Sequence, residues 1–337
     1  MRARLKAFAP KGLRSLLPGN LAFCRPGLWL AGVLVAHLVG VPCQAVTISE
    51  IVTFDSSLSD TGNASLHNGP LPPPYDGNRA TNGLVWVEDL AQLLGVSVPT
   101  PSELGGSNYA WGGAGAGSDF PHVGWQINQY LAGHSPRTTD LFVLSGGQND
   151  LYDGADPIVV ADQMVDHVAK LASAGAANIL VNNLIPMGRT PLMSEFSPEV
   201  ADLLNYLAST FNAELASQLG VLSQTMNVNI VILDWYSLAN SIIDDPTAYG
   251  LTNATDAAFD GVTVVPNPDE YLFWDGIHPS ARGHELLAQA AYDAVQQSIG
   301  AHTWVVPEPS SACCAGLGTV GLLVVGYRRR TARRRLF

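Results

Sequence analysis

Between residues 48 and 298 the chain alternates two hydrophobic patterns. Four short runs are apolar almost without interruption, at residues 48–54, 140–145, 178–184 and 228–233. Around them lie longer stretches whose apolar residues recur every three or four positions: 84–94, with Trp86, Leu90 and Leu94 on one side, then 157–174, 198–219 and 281–298. A period near 3.6 predicts amphipathic helices, and short continuous runs bounded by turn formers predict strands. Strands apolar on both faces belong to parallel sheets covered by helices on each side. The pattern therefore predicts an α/β chain, a three-layer α/β/α sandwich with a mostly parallel central sheet. Sites in such sheets open beyond the carboxyl ends of the strands. The polar motifs sit there: after Phe54, after Ser145 and in the loop before the last helix. The Pro-rich LPPPY and the Gly-rich GGSNYAWGGAGAGS read as loops.

Both ends break this pattern. Residues 1–45 carry six basic side chains and no acidic one, then the apolar run LWLAGVLVAHLVGV and the small-residue exit CQA. That is the order of a secretory signal peptide, here cleaved after Ala45, with an uncleaved anchor as the alternative. At the far end Val306-Pro307-Glu308-Pro309 precedes an apolar stretch from Ser310 to Tyr327 and the cluster RRRTARRR. This order resembles the PEP-CTERM sorting tail of Gram-negative bacteria. The resemblance implies that a membrane protease of exosortase type recognises the Pro-Glu-Pro within residues 304–337 and removes the remainder; an ordinary C-terminal anchor is the alternative. Basic residues at the end of a span stay cytoplasmic, so either way residues 46–303 form an exported domain, destined for the cell envelope or the medium.

Removing the ends changes the charge. The precursor has a formal net charge of −12. Residues 46–309 hold only Arg79, Arg137, Lys170, Arg189 and Arg282 against all twenty-nine Asp and Glu residues, which makes −24. Nucleic acid and anionic membrane surfaces are therefore poor partners. Cys24, Cys43, Cys313 and Cys314 all lie in the ends, so the mature domain is expected to fold without a disulfide.

Two segments carry the candidate chemistry. Ser57, in FDSSLSDTGN, follows the first predicted strand among turn formers and helix N-cap types. A serine hydroxyl attacks only when a base takes its proton. His278, in WDGIHPS, is the candidate base, and Asp275 three residues earlier can fix the imidazole tautomer and stabilise the imidazolium. Acyl transfer also needs donors aimed at a tetrahedral oxyanion. Asn108-Tyr-Ala-Trp-Gly-Gly113 and Gly146-Gly-Gln-Asn149 each offer one, with the Ser57 N–H as a third. Taken singly, the glycines read equally as flexible loop and Asn149 as a loop cap.

FDSSLSDTGN, NYAWGGA, GGQND and WDGIHPSARGH occur in the order of the four blocks of the SGNH hydrolases, or GDSL esterase/lipase family, which the chain resembles over about residues 49–298. The segments PPYDGNRATNGLVWVEDLA, NNLIPMGRTP, FNAELA and DDPTAYGLTN are similar to the family's connecting segments. The resemblance implies a flavodoxin-like fold, no cofactor, Ser57 as nucleophile, Asp275 and His278 as its partners, and an oxyanion hole from Gly113, Asn149 and Ser57. It implies a serine esterase or lipase working through an acyl-enzyme. The exported setting suggests lipid or acetylated polysaccharide as the ester substrate. One departure stands out: the family's Gly-Asp-Ser-Leu is Asp55-Ser56-Ser57-Leu58 here. Asp55 in place of glycine is expected to strain the turn or add negative charge beside the nucleophile. Ser56 in place of aspartate loses an acceptor and offers a competing hydroxyl. The alternative function is an envelope or matrix binding protein that keeps the fold with little hydrolysis.

Other readings are weaker. His122, His134 and His167 lack metal-ligand spacing, so no metal site is expected. Asp150, Asp153 and Asp156 lack the terminal Glu of an EF-hand. His284 reads as structural. Trp111, Phe120, Trp125 and Tyr152 are candidates for an acyl pocket or for core.

Overall fold

The computed structural model describes residues 47–226 and 228–302. The segments read as a signal peptide and a sorting tail, and the four cysteines, lie outside these residues. The four apolar runs form β1 (Glu50–Phe54), β2 (Asp140–Leu144), β3 (Asn178–Asn182) and β4 (Asn229–Leu233). They pair in that order and all in parallel, with Thr53 opposite Val143, Leu144 opposite Val181 and Ile179 opposite Ile230.

On the free edge of β1 the chain adds a single parallel bridge between Thr53 and Asn108. The Thr53 N–H donates to Ser107 O at 3.0 Å and the Tyr109 N–H donates to Thr53 O at 2.8 Å. Counted as a rudimentary strand, residues 107–109 place β1 second in the sheet, which is the flavodoxin-like order. They also bring the Gly-rich loop beside the end of β1.

The helices are α1 (Asn63–Asn68), α2 (Trp86–Leu94), α3 (Val123–Gly133), α4 (Gln148–Tyr152), α5 (Pro157–Ser173), α6 (Pro198–Thr225), α7 (Trp235–Asp244) and α8 (Ala281–His302). Successive strand residues point to opposite faces, and each face buries its own core. Val52, Phe142, Leu144 and Val181 pack with Ile127 of α3, Met164 of α5 and Phe211 of α6. Ile51, Val143 and Leu180 pack with Trp86 and Leu90 of α2, Trp235 of α7 and Leu287 of α8. These are the three predicted layers.

A smaller parallel pair, β5 (Asn253–Ala257) and β6 (Tyr271–Phe273), was not expected from the pattern. It covers a third cluster containing Ile242, Leu251 and Leu272. Its importance is positional, because β6 ends two residues before Asp275.

Candidate active site

The chain leaves β1 at Phe54 and turns at once. Asp55 anchors this turn from both its backbone and its side chain. Its N–H donates to Gln126 Oε1 at 3.0 Å, while its carbonyl accepts from Gln126 Nε2 at 2.9 Å and from the Trp111 N–H at 3.0 Å. Its carboxylate accepts from the Ser56 N–H at 2.6 Å and from Ser59 Oγ at 2.5 Å. Ser59 Oγ in turn accepts from Trp86 Nε1 at 2.9 Å. Asp55 is fully buried, and burial pushes its carboxyl above the usual range against the hydrogen bonds from Ser59 and Ser56. The carboxylate is thus spent on the loop rather than left facing the nucleophile. Ser56 is also fully buried, and its hydroxyl accepts from Gln148 Nε2 at 3.3 Å.

Ser57, half-buried at the tip of the turn, faces the other segment: its Oγ lies 2.9 Å from His278 Nε2. His278 Nδ1 lies 2.8 and 3.0 Å from the two oxygens of Asp275. The loop holding both residues is closed by the Trp274 N–H donating to His278 O at 2.8 Å and by a bridge between Phe273 and Pro279. Asp275 Oδ1 also accepts the N–H groups of Ile277 at 2.9 Å and His278 at 2.8 Å, so the carboxylate shapes the turn that presents its own histidine. Burial alone would raise Asp275. The bond and charge of His278 and these two N–H groups outweigh it and hold the carboxyl at about 2. Below the loop, Ser280 starts α8 by accepting the Gly283 N–H at 3.1 Å.

The Gly-rich loop supplies the third side. Its amides are committed in turn: Ala110 to Asn108 Oδ1 at 2.9 Å, Gly112 to Asp60 Oδ2 at 2.8 Å, Ala114 to Trp111 O at 3.0 Å, Gly115 to His122 Nδ1 at 2.7 Å and Ala116 to Asp150 Oδ2 at 2.9 Å. Gly113 is the exception. Among the described residues its N–H has no acceptor, it adopts a φ of +82°, and a Cβ there would meet nothing within 4 Å. The Ser57 N–H likewise has no acceptor among the described residues. Asn149, in the first turn of α4, donates one Nδ2 hydrogen to Ala114 O at 2.8 Å, which leaves the other available. Asp60 ties the pieces together, because its carboxylate also accepts the Gly62 and Asn63 N–H groups at 2.7 Å each.

Three cavities meet at His278, and Ser57 lines two of them. A groove of about 310 Å³ runs between Gly112, Gly113, Asn149 and the apolar side chains Ala64 and Leu71. A second, of about 600 Å³, lies on the other side of His278 between Tyr75, Leu192 and Phe259. A narrow cleft of about 20 Å³ is lined by Leu58, Tyr152, Ile185 and Met187. Of the aromatic candidates, Tyr152 therefore reaches the site. Trp111, Phe120 and Trp125 instead stack edge to face on one another, with ring centroids 4.9 to 6.3 Å apart.

The remaining histidines have separate duties. His167 Nε2 donates to Ala116 O at 2.6 Å, and His134 stacks on Tyr130. His284 is buried, accepts the first N–H of α2 at Nδ1, and is pushed down to about 3 by burial and by the charge of His278. Among the described residues no three His, Cys, Asp or Glu side chains are grouped to hold a metal ion, and no helix is long and apolar enough to cross a membrane. Sequence reasoning passed over Tyr75, Gln126 and the structural use of Asp60. Only Asp60 left a signal, as a helix-capping type two residues before Gly62.

Residues 51–291 match the GDSL-like lipase/acylhydrolase family, and the chain belongs to it. It is 26% identical over 276 residues to a thermolabile hemolysin of Vibrio parahaemolyticus, covering 73% of this chain and 63% of that protein. It is 28% identical over 280 residues to a phosphatidylcholine-sterol acyltransferase of Aeromonas hydrophila, covering 76% of this chain and 82% of that protein. A solved lipolytic G-D-S-L protein of Veillonella parvula aligns at 17% identity and a TM-score of 0.47, over 74% of this chain and 99% of its own.

Proposed function

We propose that the protein is an exported serine esterase or lipase that hydrolyses carboxylic esters through an acyl-enzyme. The observation that carries this reading is the contact of 2.9 Å between His278 Nε2 and Ser57 Oγ, with Asp275 on the opposite ring nitrogen. His278 takes the Ser57 proton as Oγ attacks the ester carbonyl. The resulting oxyanion is received by the N–H groups of Ser57 and Gly113 and the second Nδ2 hydrogen of Asn149. His278 then returns the proton to the leaving alcohol, the acyl group stays on Ser57, and a water activated by the same imidazole releases the acid. Asp275 remains a carboxylate throughout, as its low pKa of about 2 requires.

One relative is named a hemolysin and the other a phosphatidylcholine-sterol acyltransferase, and the second name supports lipid esters as substrates for this chain. Acetylated polysaccharide is the second class, favoured by the narrow cleft that Leu58, Tyr152, Ile185 and Met187 form beside Ser57 and His278. Signal peptide, sorting tail and an exosortase-type protease complete the proposal for the ends. Hydrolysis of p-nitrophenyl esters from acetate to palmitate, beside release of acetate from acetylated polysaccharide, tests it. Ser57→Ala should lose about 10³-fold or more of kcat. Full hydrolysis by Ser57→Ala, with loss in Ser56→Ala, would transfer the role to Ser56.

A further inference from the structure

Asp275 has one partner that neither the loop geometry nor the four blocks account for. Tyr75 lies 200 residues earlier in the chain, in the Pro-rich loop, and its phenol O–H donates to Asp275 Oδ2 at 2.8 Å. We propose that Tyr75 is a positioning residue for the Ser57–His278–Asp275 group, setting the orientation and charge of Asp275 and through it the basicity of His278. This rests on the hydrolase reading for the role of His278 as base.

The carboxylate explains why the phenol matters. Oδ1 accepts two backbone N–H groups and lies 3.0 Å from His278 Nδ1, whereas Oδ2 lies 2.8 Å from that nitrogen and, among the described residues, has Tyr75 as its one further donor. Without the phenol, Oδ2 would keep His278 Nδ1 as its single donor, and the bonds to Oδ1 would be left to hold the carboxylate plane against rotation about χ2, which is soft for a terminal carboxylate. Tyr75 is itself held firmly. Its ring packs edge to face on Phe259, at 5.7 Å and 89°, and on Trp274, at 6.1 Å and 78°. Its loop is fastened to the far side of the His278 turn, where Thr81 Oγ1 donates to Pro279 O at 2.9 Å and Asn82 Oδ1 accepts the Ala281 N–H at 2.7 Å. Burial, the charge of Asp275 and the bond to it hold the phenol above its ordinary range, so it remains a donor at every working pH.

A neutral donor on Oδ2 disperses the carboxylate charge and so weakens its hold on the imidazolium. Removing it should make His278 more basic. Other titratable groups surround the pair: His284 from α8 beneath it, Glu195, Asp256 and Asp260 around the groove on the Tyr75 side, and Asp60 on the Ser57 side. All of them are unchanged in Tyr75→Phe, which also keeps the ring and its packing. A difference between the two proteins therefore reports the O–H alone.

The experiment is the pH titration of the His278 ring by NMR, assigned with His278→Gln, together with the pH profile of kcat/KM for a p-nitrophenyl ester. Tyr75→Phe should raise the His278 midpoint and the acid limb of the profile together by about half to one unit, and lower the limiting kcat about tenfold with KM within about twofold. Titrations that superimpose in the two proteins would overturn the proposal and leave Tyr75 a packing residue. The NMR arm needs no turnover, so a wild type inactive on esters would remove the hydrolase reading while the titration still decides for or against the role of Tyr75.

Discussion

Asp55 is the residue whose role differs most from its expectation. It stands where the family pattern has glycine, and strain or stray charge was the expected consequence. Instead the carboxylate accepts the Ser56 N–H and the Ser59 hydroxyl, one on each side of Ser57. Loop support that the pattern assigns to the following residue is supplied one position earlier. Asp55→Ala would leave these donors unpaired in a buried site, at a cost of about 2–4 kcal/mol of stability and roughly a tenfold or greater loss of kcat as the Ser57 N–H drifts. Asp55→Asn keeps an acceptor of the same shape and should lose much less. Thermal unfolding and steady-state kinetics on the two variants check this; an Asp55→Ala protein with wild-type kcat would show that Gln126 and Trp111 alone hold the turn. None of this was legible in the sequence, because Gln126 lies 71 positions away and its contact depends on how α3 crosses the strand end.

Among the elements, α2 and α8 lie against each other over the second core. Arg79 clamps Glu88 of α2 with two bonds of 2.6 and 2.7 Å, but among the described residues Asp89 beside it has no cation. Its charged neighbours among the described residues are acids: burial first, then the charges of Glu285 on α8 and of Glu88, push Asp89 up to about 6. A carboxyl raised above its unfolded value destabilises the fold once ionised. The penalty is present above about pH 6 and fades as pH falls toward the ordinary carboxylate range. Asp89→Asn should therefore raise Tm at pH 7.5 by about 2 °C, a gain kept small by solvent screening and by the favourable place of an acid in the first helical turn. At pH 4 the gain should vanish, and an equal gain at both pH values would exclude the electrostatic origin.

The four strands of the main sheet were legible as uninterrupted apolar runs, and α2, α5, α6 and α8 because each buries a regular apolar stripe. α3 was not, since Gln126 turns inward from its stripe to hold Asp55. The Asn108 bridge is carried by main-chain atoms alone, and β6 has three residues, too few for a period to show. Ser57, Asp275 and His278 were expected together because their segments resemble the family's blocks, and the structure brings them within hydrogen-bond reach; Tyr75 was not expected, because a tyrosine in a Pro-rich loop carries no pattern.

Across the whole molecule, the parallel sheet gathers three distant segments at one end. Residues 55–63 leave β1, residues 108–116 are fastened beside it through Thr53, Asp55 and Asp60, and residues 275–278 descend from the small β5–β6 pair. Each segment is immobilised by hydrogen bonds of its own before any substrate arrives. What remains uncommitted is the chemistry: one hydroxyl against one imidazole, and donors without acceptors at Ser57 and Gly113. In the proposed mechanism this hydroxyl is the nucleophile. Intact-mass and peptide-mapping mass spectrometry after treatment with a fluorophosphonate tests it most directly. The wild type should gain one adduct, mapped to Ser57, and Ser57→Ala should gain none. A wild type that takes up no adduct, or an adduct that maps to Ser56 and persists in Ser57→Ala, would contradict the account.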